Sequence, residues 1–348
     1  MKRFIKYIFF FLTPHLFFDR VRYFFAKENK LLADSIQNEN NVFVFLACDY
    51  ANLGDYAISL AQKRMLEKIF PKHNVILIEM NHTYSALKAI VNTNQTDDIV
   101  TLIGGGNMGD MYYGYERKRN LLISKLPGFR IISFPQTVSF SESFFGTLCL
   151  KRTRKTYSRH PNLTLMARER KSYDLMLQYF PQNRVVFTPD VVLTYEIPPK
   201  DVNRKGIVLT LRNDEESFMS KDDKEKLILK FQKCDEASFH DTCPTSCDNL
   251  EKEFEKLIEK YSRSKLVITD RLHGMIFSYI TKTPTLVFDN SNAKISQCYE
   301  WIRGCGFIKL VNKDDISNLD YLMKEVMSSK PTDLNMEYFG KIIADACL

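Results

Sequence analysis

No stretch of this 348-residue sequence carries the roughly 20 consecutive apolar residues that a membrane-spanning helix needs. The uninterrupted run near the front, Tyr7 to Leu12, falls far short, and no small-x-small cleavage site follows it as a secretory signal would require. Lysine and arginine outnumber aspartate and glutamate by 49 to 42, a formal net charge of +7. No basic run interleaved with stacking aromatics appears beyond the N-terminus, so nucleic acid is not an expected partner. The eight cysteines form no dense framework, and a chain of this length needs no disulfide staples, which leaves free thiols in a reducing cytoplasm. A paired CxxC is missing. Cys243 and Cys247, with Cys234 and His240 nearby, match zinc-ligand spacing only loosely, and no metal is expected. There is no internal repeat and no low-complexity tract.

What is present is an ordinary globular balance of 45% hydrophobic and 26% charged residues. The modest positive charge suits a protein that meets anionic lipid or a phosphorylated substrate. The front is unusual. Lys2, Arg3 and Lys6 flank Phe4 to Leu12, Pro14 interrupts, and Phe17, Phe18, Tyr23, Phe24 and Phe25 then alternate with Asp19, Arg20 and Arg22. We read residues 1–25, within an N-terminal segment 1–40, as lying on a membrane surface with basic side chains at the headgroups. The alternative is an N-terminal helix packed on the protein's own body.

From residue 41 the chain alternates buried strands with amphipathic helices. Val42–Ala47 is a continuous apolar run, as expected for a strand covered on both faces. Val75–Ile78, Ile99–Ile103, Arg130–Phe134, Leu163–Ala167 and Val185–Phe187 follow, with helices over Tyr56–Phe70 and Ser172–Tyr179. Pro198-Pro199-Lys200-Asp201 reads as a linker, since two prolines continue neither helix nor central strand. The alternation restarts with strands at Gly206–Leu211, Leu266–Thr269, Thr285–Phe288 and Phe307–Val311, and helices over Lys221–Gln232, Leu250–Tyr261 and up to Ile280. Strands alternating with helices imply parallel sheets. The expected fold class is α/β, with two Rossmann-like domains, 41–198 and 205–348, facing across a cleft.

Ligands of open α/β sheets bind at the carboxyl ends of strands. There stands Gly104-Gly105-Gly106-Asn107, whose bare backbone can bring amides to an anion or a sugar oxygen, or can simply serve a tight turn needing positive φ. It is neither a GxGxxG nor a Walker pattern, so no nucleotide is implied. Lys265–Thr269 runs into Asp270, a good helix N-cap, which puts Arg271 and His273 in the first turn. Free amides and the positive helix end favour an anion there. Arginine offers a forked grip on carboxylate or phosphate, and histidine exchanges a proton near neutral pH.

These residues, with Asn52-Leu53-Gly54-Asp55, Ala167-Arg168-Glu169, Pro189-Asp190 and Asp270-Arg271-Leu272-His273-Gly274, together resemble the polysaccharide pyruvyl transferases over about residues 41–311. Lys294 follows in a loop after Phe288-Asp289. The resemblance implies a GT-B-like pair of domains and a pyruvyltransferase of bacterial capsular or exopolysaccharide biosynthesis. Its donor is phosphoenolpyruvate, with no other cofactor, and its product is a cyclic pyruvate ketal on a sugar. Carried over, His273 is the general acid, and Arg168 and Lys294 grip the donor's carboxylate and phosphate. Arg271 matches the donor motif, with a structural pairing to Asp270 as its alternative. The N-terminal domain holds the acceptor, through Asn52, Asp55, Gly105, Gly106, Asn107 and Asp110. Asp55 or Asp110 is the expected base.

Two features depart from the family pattern. Cys234 to Asp248 does not read as the strand expected mid-domain and looks like a long loop. The basic, phenylalanine-rich front points to a lipid-linked acceptor, a polyprenyl-pyrophosphate sugar, and to a peripheral location on the inner face of the cell membrane. Two other readings compete. One is a GT-B-type glycosyltransferase with a nucleotide-sugar donor, against which no acidic pair suited to a ribose is found. The other is a non-catalytic membrane-peripheral assembly protein, against which the trio His273, Arg168 and Lys294 argues.

Overall fold

The computed structural model describes residues 17–36, 40–93, 98–198, 203–212, 221–232, 237–244, 246–289, 293–312, 315, 318–329 and 335–348. Most of the expected linker, Cys234, and the basic run at the extreme N-terminus lie outside these residues. The chain forms two compact units. One comprises Met1–Asp49, Gln62–Thr188 and Ala344–Leu348, the other Tyr50–Ala61 and Pro189–Ile343. This division differs from the continuous ranges read from the sequence. Tyr50–Ala61 joins the second unit, and the last five residues return to the first. The path changes unit inside two helices, Leu53–Ile69 and Met336–Cys347.

The first unit is built on a parallel seven-stranded sheet in the order β2-β1-β3-β5-β6-β7, with β4 beside β5. The strands are β1 (Asn41–Ala47), β2 (Asn74–Glu79), β3 (Ile99–Leu102), β4 (Gly105–Gly109), β5 (Arg130–Ser139), β6 (Leu163–Ala167) and β7 (Arg184–Phe187). Every residue of β1 is buried, as its unbroken apolar run requires of a strand covered on both faces. Across the sheet Val42 stands opposite Ile99, Ile99 opposite Arg130 and Ile131 opposite Leu163, with a register shift between Ser133 and Gln136.

The glycine stretch, read from the sequence as a ligand-approaching segment or a tight turn, runs into strand β4 at Gly105. It pairs with the distal half of the ten-residue β5, Gly105 opposite Gln136 and Gly109 opposite Ser139. Glycine is needed here for backbone reasons. Gly105 has φ of 122° and Gly109 of 142°, and a Cβ on Gly109 would lie 1.7 Å from the Ser139 carbonyl oxygen.

The helix Phe17–Phe25 packs on this unit. Asp19 is fully buried, accepting from the Tyr84 hydroxyl at 2.5 Å and pairing with Arg117 Nε at 3.2 Å. Lys88 Nζ donates to the carbonyls of Phe24 and Ala26 at 3.1 and 2.9 Å. The helix therefore docks on the body, while Phe18, Phe24, Phe25 and Leu31 remain exposed. Among the described residues, no helix is long and apolar enough to cross a membrane.

The second unit carries a parallel five-stranded sheet in the order β12-β11-β10-β8-β9. Its strands are β8 (Ile207–Thr210), β9 (Ala237–Phe239), β10 (Leu266–Thr269), β11 (Thr285–Phe288) and β12 (Ile308–Val311). Leu209, Ile268, Leu286 and Val311 from the sheet and Leu227, Phe231, Leu322 and Val326 from helices form one of its cores. Among its described residues, the segment 234–248 contributes the three-residue edge strand β9, and the rest of them are neither helix nor strand. The chain goes from β8 outward to β9, then crosses back to β10. The carboxyl ends of β8 and β10 are thus a point where the winding reverses, the place where open α/β sheets bind ligands.

Candidate active site

At that reversal β10 ends on Thr269, whose hydroxyl donates to the Thr210 carbonyl of β8 at 2.7 Å and accepts the Arg271 amide at 3.0 Å. Asp270 is fully buried and does not cap the following helix as the sequence implied. Its carboxylate accepts the Arg212 amide at 2.6 Å, joining the ends of two neighbouring strands. The N-cap is Arg271, in extended conformation and without a side-chain cap bond, and the helix runs Leu272–Ile280. His273 lies in its first turn. Gly274 lets the helix approach the strand, because a Cβ there would stand 2.3 Å from the Thr269 hydroxyl.

Arg271 pairs with Asp241, at 2.6 Å from Nη2 to Oδ1. Asp241 belongs to the turn after β9, where it also accepts the Thr242 amide at 2.7 Å. The Thr242 carbonyl in turn accepts the Leu53 amide at 2.8 Å. That bond ties in the start of the helix Leu53–Ile69. Asn52 Oδ1 caps this helix, accepting from the amides of Gly54 and Asp55 at 2.9 and 3.2 Å. Asp55 Oδ2 accepts from the Tyr50 hydroxyl at 2.5 Å. Both residues, expected in the acceptor domain, therefore stand in the unit that carries His273.

The imidazole is held between two elements. On one side a Cβ at Gly54 would lie 2.3 Å from Nδ1 and 2.7 Å from Cγ, so only a glycine leaves the ring its place. On the other, Nε2 lies 4.0 Å from Oδ2 of Asp190, with the histidine side chain 14% and the aspartate 2% exposed. The ring also tilts against Phe277 at 5.9 Å. Lys294 opens the short helix Lys294–Tyr299, which packs against Leu272–Ile280, after Ala293 in the left-handed conformation.

The first unit holds the other motif residues. Arg168 follows β6 and is buried. Its Nε donates to the Thr137 hydroxyl at 2.9 Å, and that hydroxyl donates to Glu169 at 3.0 Å. A Cβ at Gly106 would lie 3.0 Å from Arg168 Nη2, so β4 passes close over the guanidinium. Asn107 is engaged through both its carbonyl and its side chain by buried Arg119. Asp110 accepts from the amide and hydroxyl of Ser141 at 2.7 and 2.6 Å. Asp55 and Asp110, the expected bases, thus each hold a local hydrogen bond.

Sequence reasoning missed Asp190 as a partner of His273, Asp241 as the partner of Arg271, and Gly54 as the seat of the ring. The motif Pro189-Asp190 was visible, but only the fold brings it to a histidine more than 80 positions away. Among the described residues no group of three His, Cys, Asp or Glu side chains converges as a metal site would.

Comparison with known proteins places these residues in a wider set. The family described as polysaccharide pyruvyl transferase matches residues 52–292. General stress protein 30 of Bacillus subtilis (strain 168) is 34% identical over 307 residues, covering 86% of this chain and 89% of that protein. Pyruvyl transferase 1 of Schizosaccharomyces pombe is 29% identical over 280 residues, covering 74% and 68%. Among solved structures, an uncharacterized protein of Klebsiella pneumoniae shares the fold, with TM-score 0.51 and 16% identity, over 81% of this chain and 96% of that one.

Proposed function

The chain belongs to the polysaccharide pyruvyl transferase family, and from that premise we propose that it moves the pyruvate unit of phosphoenolpyruvate onto a lipid-linked surface sugar as a cyclic ketal. Pyruvyl transfer to polysaccharide is the family's activity, and the protein is a pyruvyltransferase. The donor, the ketal and the lipid-linked acceptor are the proposal.

The observation that carries it is the seat of His273. A histidine in the first turn of a helix, at the reversal point of a parallel sheet and beside Arg271, joins a proton source to a site favouring anions. Phosphoenolpyruvate needs both. His273 gives a proton to the methylene carbon, which becomes the methyl group, and the adjacent carbon turns cationic. One sugar hydroxyl bonds to that carbon, the carbon–oxygen bond to phosphate breaks, and a second hydroxyl closes the ring. Of the two hydroxyl protons lost, one restores His273 and the other leaves with phosphate. General acid catalysis of this kind typically contributes about 100- to 10,000-fold. Lys294 and Arg168 are assigned to anionic groups of the substrates. Arg271, fixed by Asp241, supplies positive charge at the helix start. No cofactor beyond the co-substrate enters the scheme.

Mass spectrometry of a polyprenyl-pyrophosphate-linked sugar incubated with phosphoenolpyruvate tests this. The expected product carries a ketal-linked pyruvate, with one phosphate released per transfer. Turnover of a nucleotide sugar with phosphoenolpyruvate untouched would instead establish a glycosyltransferase.

The proposal also places the enzyme on the inner face of the cell membrane through residues 1–25. The helix Phe17–Phe25 and the start of the helix Lys30–Ile36 support this. Phe18, Phe24, Phe25 and Leu31 are exposed beside exposed Arg20, Arg22, Lys27 and Lys30, a mixture suited to an anionic lipid surface. The protein is expected to float with vesicles containing phosphatidylglycerol. Replacing Phe24 and Phe25 together by serine should weaken flotation several-fold, and equal flotation of the variant would refute the contact.

A further inference from the structure

We propose that Asp190 and Gly54 are positioning residues for His273: the Asp190 carboxylate aims the imidazole from its Nε2 side, and the bare backbone of Gly54 seats it on the Nδ1 side. The inference rests on the reading of His273 as the proton donor.

Asp190 is suited to this by its own anchoring. One carboxylate oxygen accepts the Val192 amide at 2.9 Å, opening the 3₁₀ turn Val191–Thr194 that packs on the helix of His273. The other oxygen is presented to Nε2 at 4.0 Å. The carboxylate is 2% exposed, so little water screens it. The distance exceeds a hydrogen bond, so the carboxylate acts on the ring through its charge. The other charged groups on the surrounding elements have partners of their own. Asp55 holds the Tyr50 hydroxyl, Arg271 pairs with Asp241, and Asp270 takes the Arg212 amide. Gly54 acts sterically. A methyl group there would overlap the imidazole at 2.3 Å and push the ring out of its place between the two elements. The sequence motif that contains Gly54 thus acquires a role in the proton-transfer half of the site.

The experiment compares Asp190→Asn, Gly54→Ala and His273→Ala in steady-state pyruvyl transfer, with a thermal melt of each. Asparagine keeps the oxygen that accepts the Val192 amide, so Asp190→Asn should fold normally. Its kcat should fall at least about tenfold, with KM for phosphoenolpyruvate within about threefold of the parent. Gly54→Ala should show the same split and serves as the second reading if Asp190→Asn does not fold. Parental kcat in either folded variant, while His273→Ala is inactive, overturns its assignment and leaves the proton donor in place. Full activity of His273→Ala would remove the reading on which the inference rests.

Discussion

A methyl group at Gly109 has nowhere to go. It would overlap the Ser139 carbonyl at 1.7 Å, on a backbone whose φ of 142° L residues rarely adopt. Gly109→Ala should therefore cost at least about 2 kcal/mol of stability, read by chemical denaturation. His160 makes a different demand. Its Nε2 lies 3.0 Å from the Leu126 carbonyl, and its Nδ1 accepts the Asn162 amide at 3.3 Å, which fixes the neutral ring with the proton on Nε2. Burial lowers its pKa below the ordinary 6.5, opposed by the bond to Leu126. Below that value the unfolded chain takes up a proton that the folded one refuses, so stability falls as pH drops, until the lowered folded-state pKa is reached. His160→Gln should flatten that slope in melts recorded from pH 7 to 5. Arg168→Lys should raise KM for phosphoenolpyruvate by about tenfold, since lysine cannot reproduce the guanidinium fork. Motifs singled out His273, Arg168 and Arg271, but not the side chains Asp190, Thr137 and Asp241 that lie against them. Asp270 was expected to cap a helix and instead joins two strand ends. Asp190 and Asp241 reach their partners from 83 and 30 positions away, a distance no local pattern encodes.

At the scale of elements, the central strands were legible because each is a short, mostly apolar run buried along its length, as in β1, β3 and β10. Two strands were not. The β4 sequence Gly-Gly-Asn-Met-Gly has poor intrinsic strand propensity, and its state is imposed by the unusually long β5 beside it. The strand β9 has three residues on a sheet edge, too short to show a period. The helix Leu53–Ile69 was expected to begin at Tyr56. Its true start is set by Asn52, which accepts the amides of Gly54 and Asp55. Asn52→Ala should cost about 1 kcal/mol in thermal or denaturant unfolding. Because the same turn seats His273, that variant should also lose turnover, whereas Ser143→Ala, which removes the cap of Phe144–Tyr157, should lose stability alone.

For the molecule as a whole, the apolar alternation foretold two α/β units but not where the chain changes from one to the other. A helix shows no break in its hydrophobic pattern when its two halves serve different cores, and two of the four crossings, after Ala61 and after Ile343, fall within helices. The last crossing ends in a clasp. Arg130 Nη2 donates to the backbone oxygens of Cys347 and Leu348, and Arg184 to those of Asp345 and Ala346 at 3.2 and 3.3 Å. Two guanidinium groups thus satisfy the bare carbonyls at the end of Met336–Cys347 and meet the negative end of its dipole. Removing residues 344–348 should lower the melting temperature by several degrees, through lost burial of Cys347 and the two arginines left without acceptors.

The clasp also has a consequence for the order of events on the ribosome. Residues 344–348 are translated after every residue of the second unit, yet they complete the first. Arg130 and Arg184 lack these acceptors while more than 150 further residues emerge. During that interval the first unit depends on its remaining contacts, and a nascent chain stalled before residue 344 should be cut more readily by protease within that unit than the finished protein.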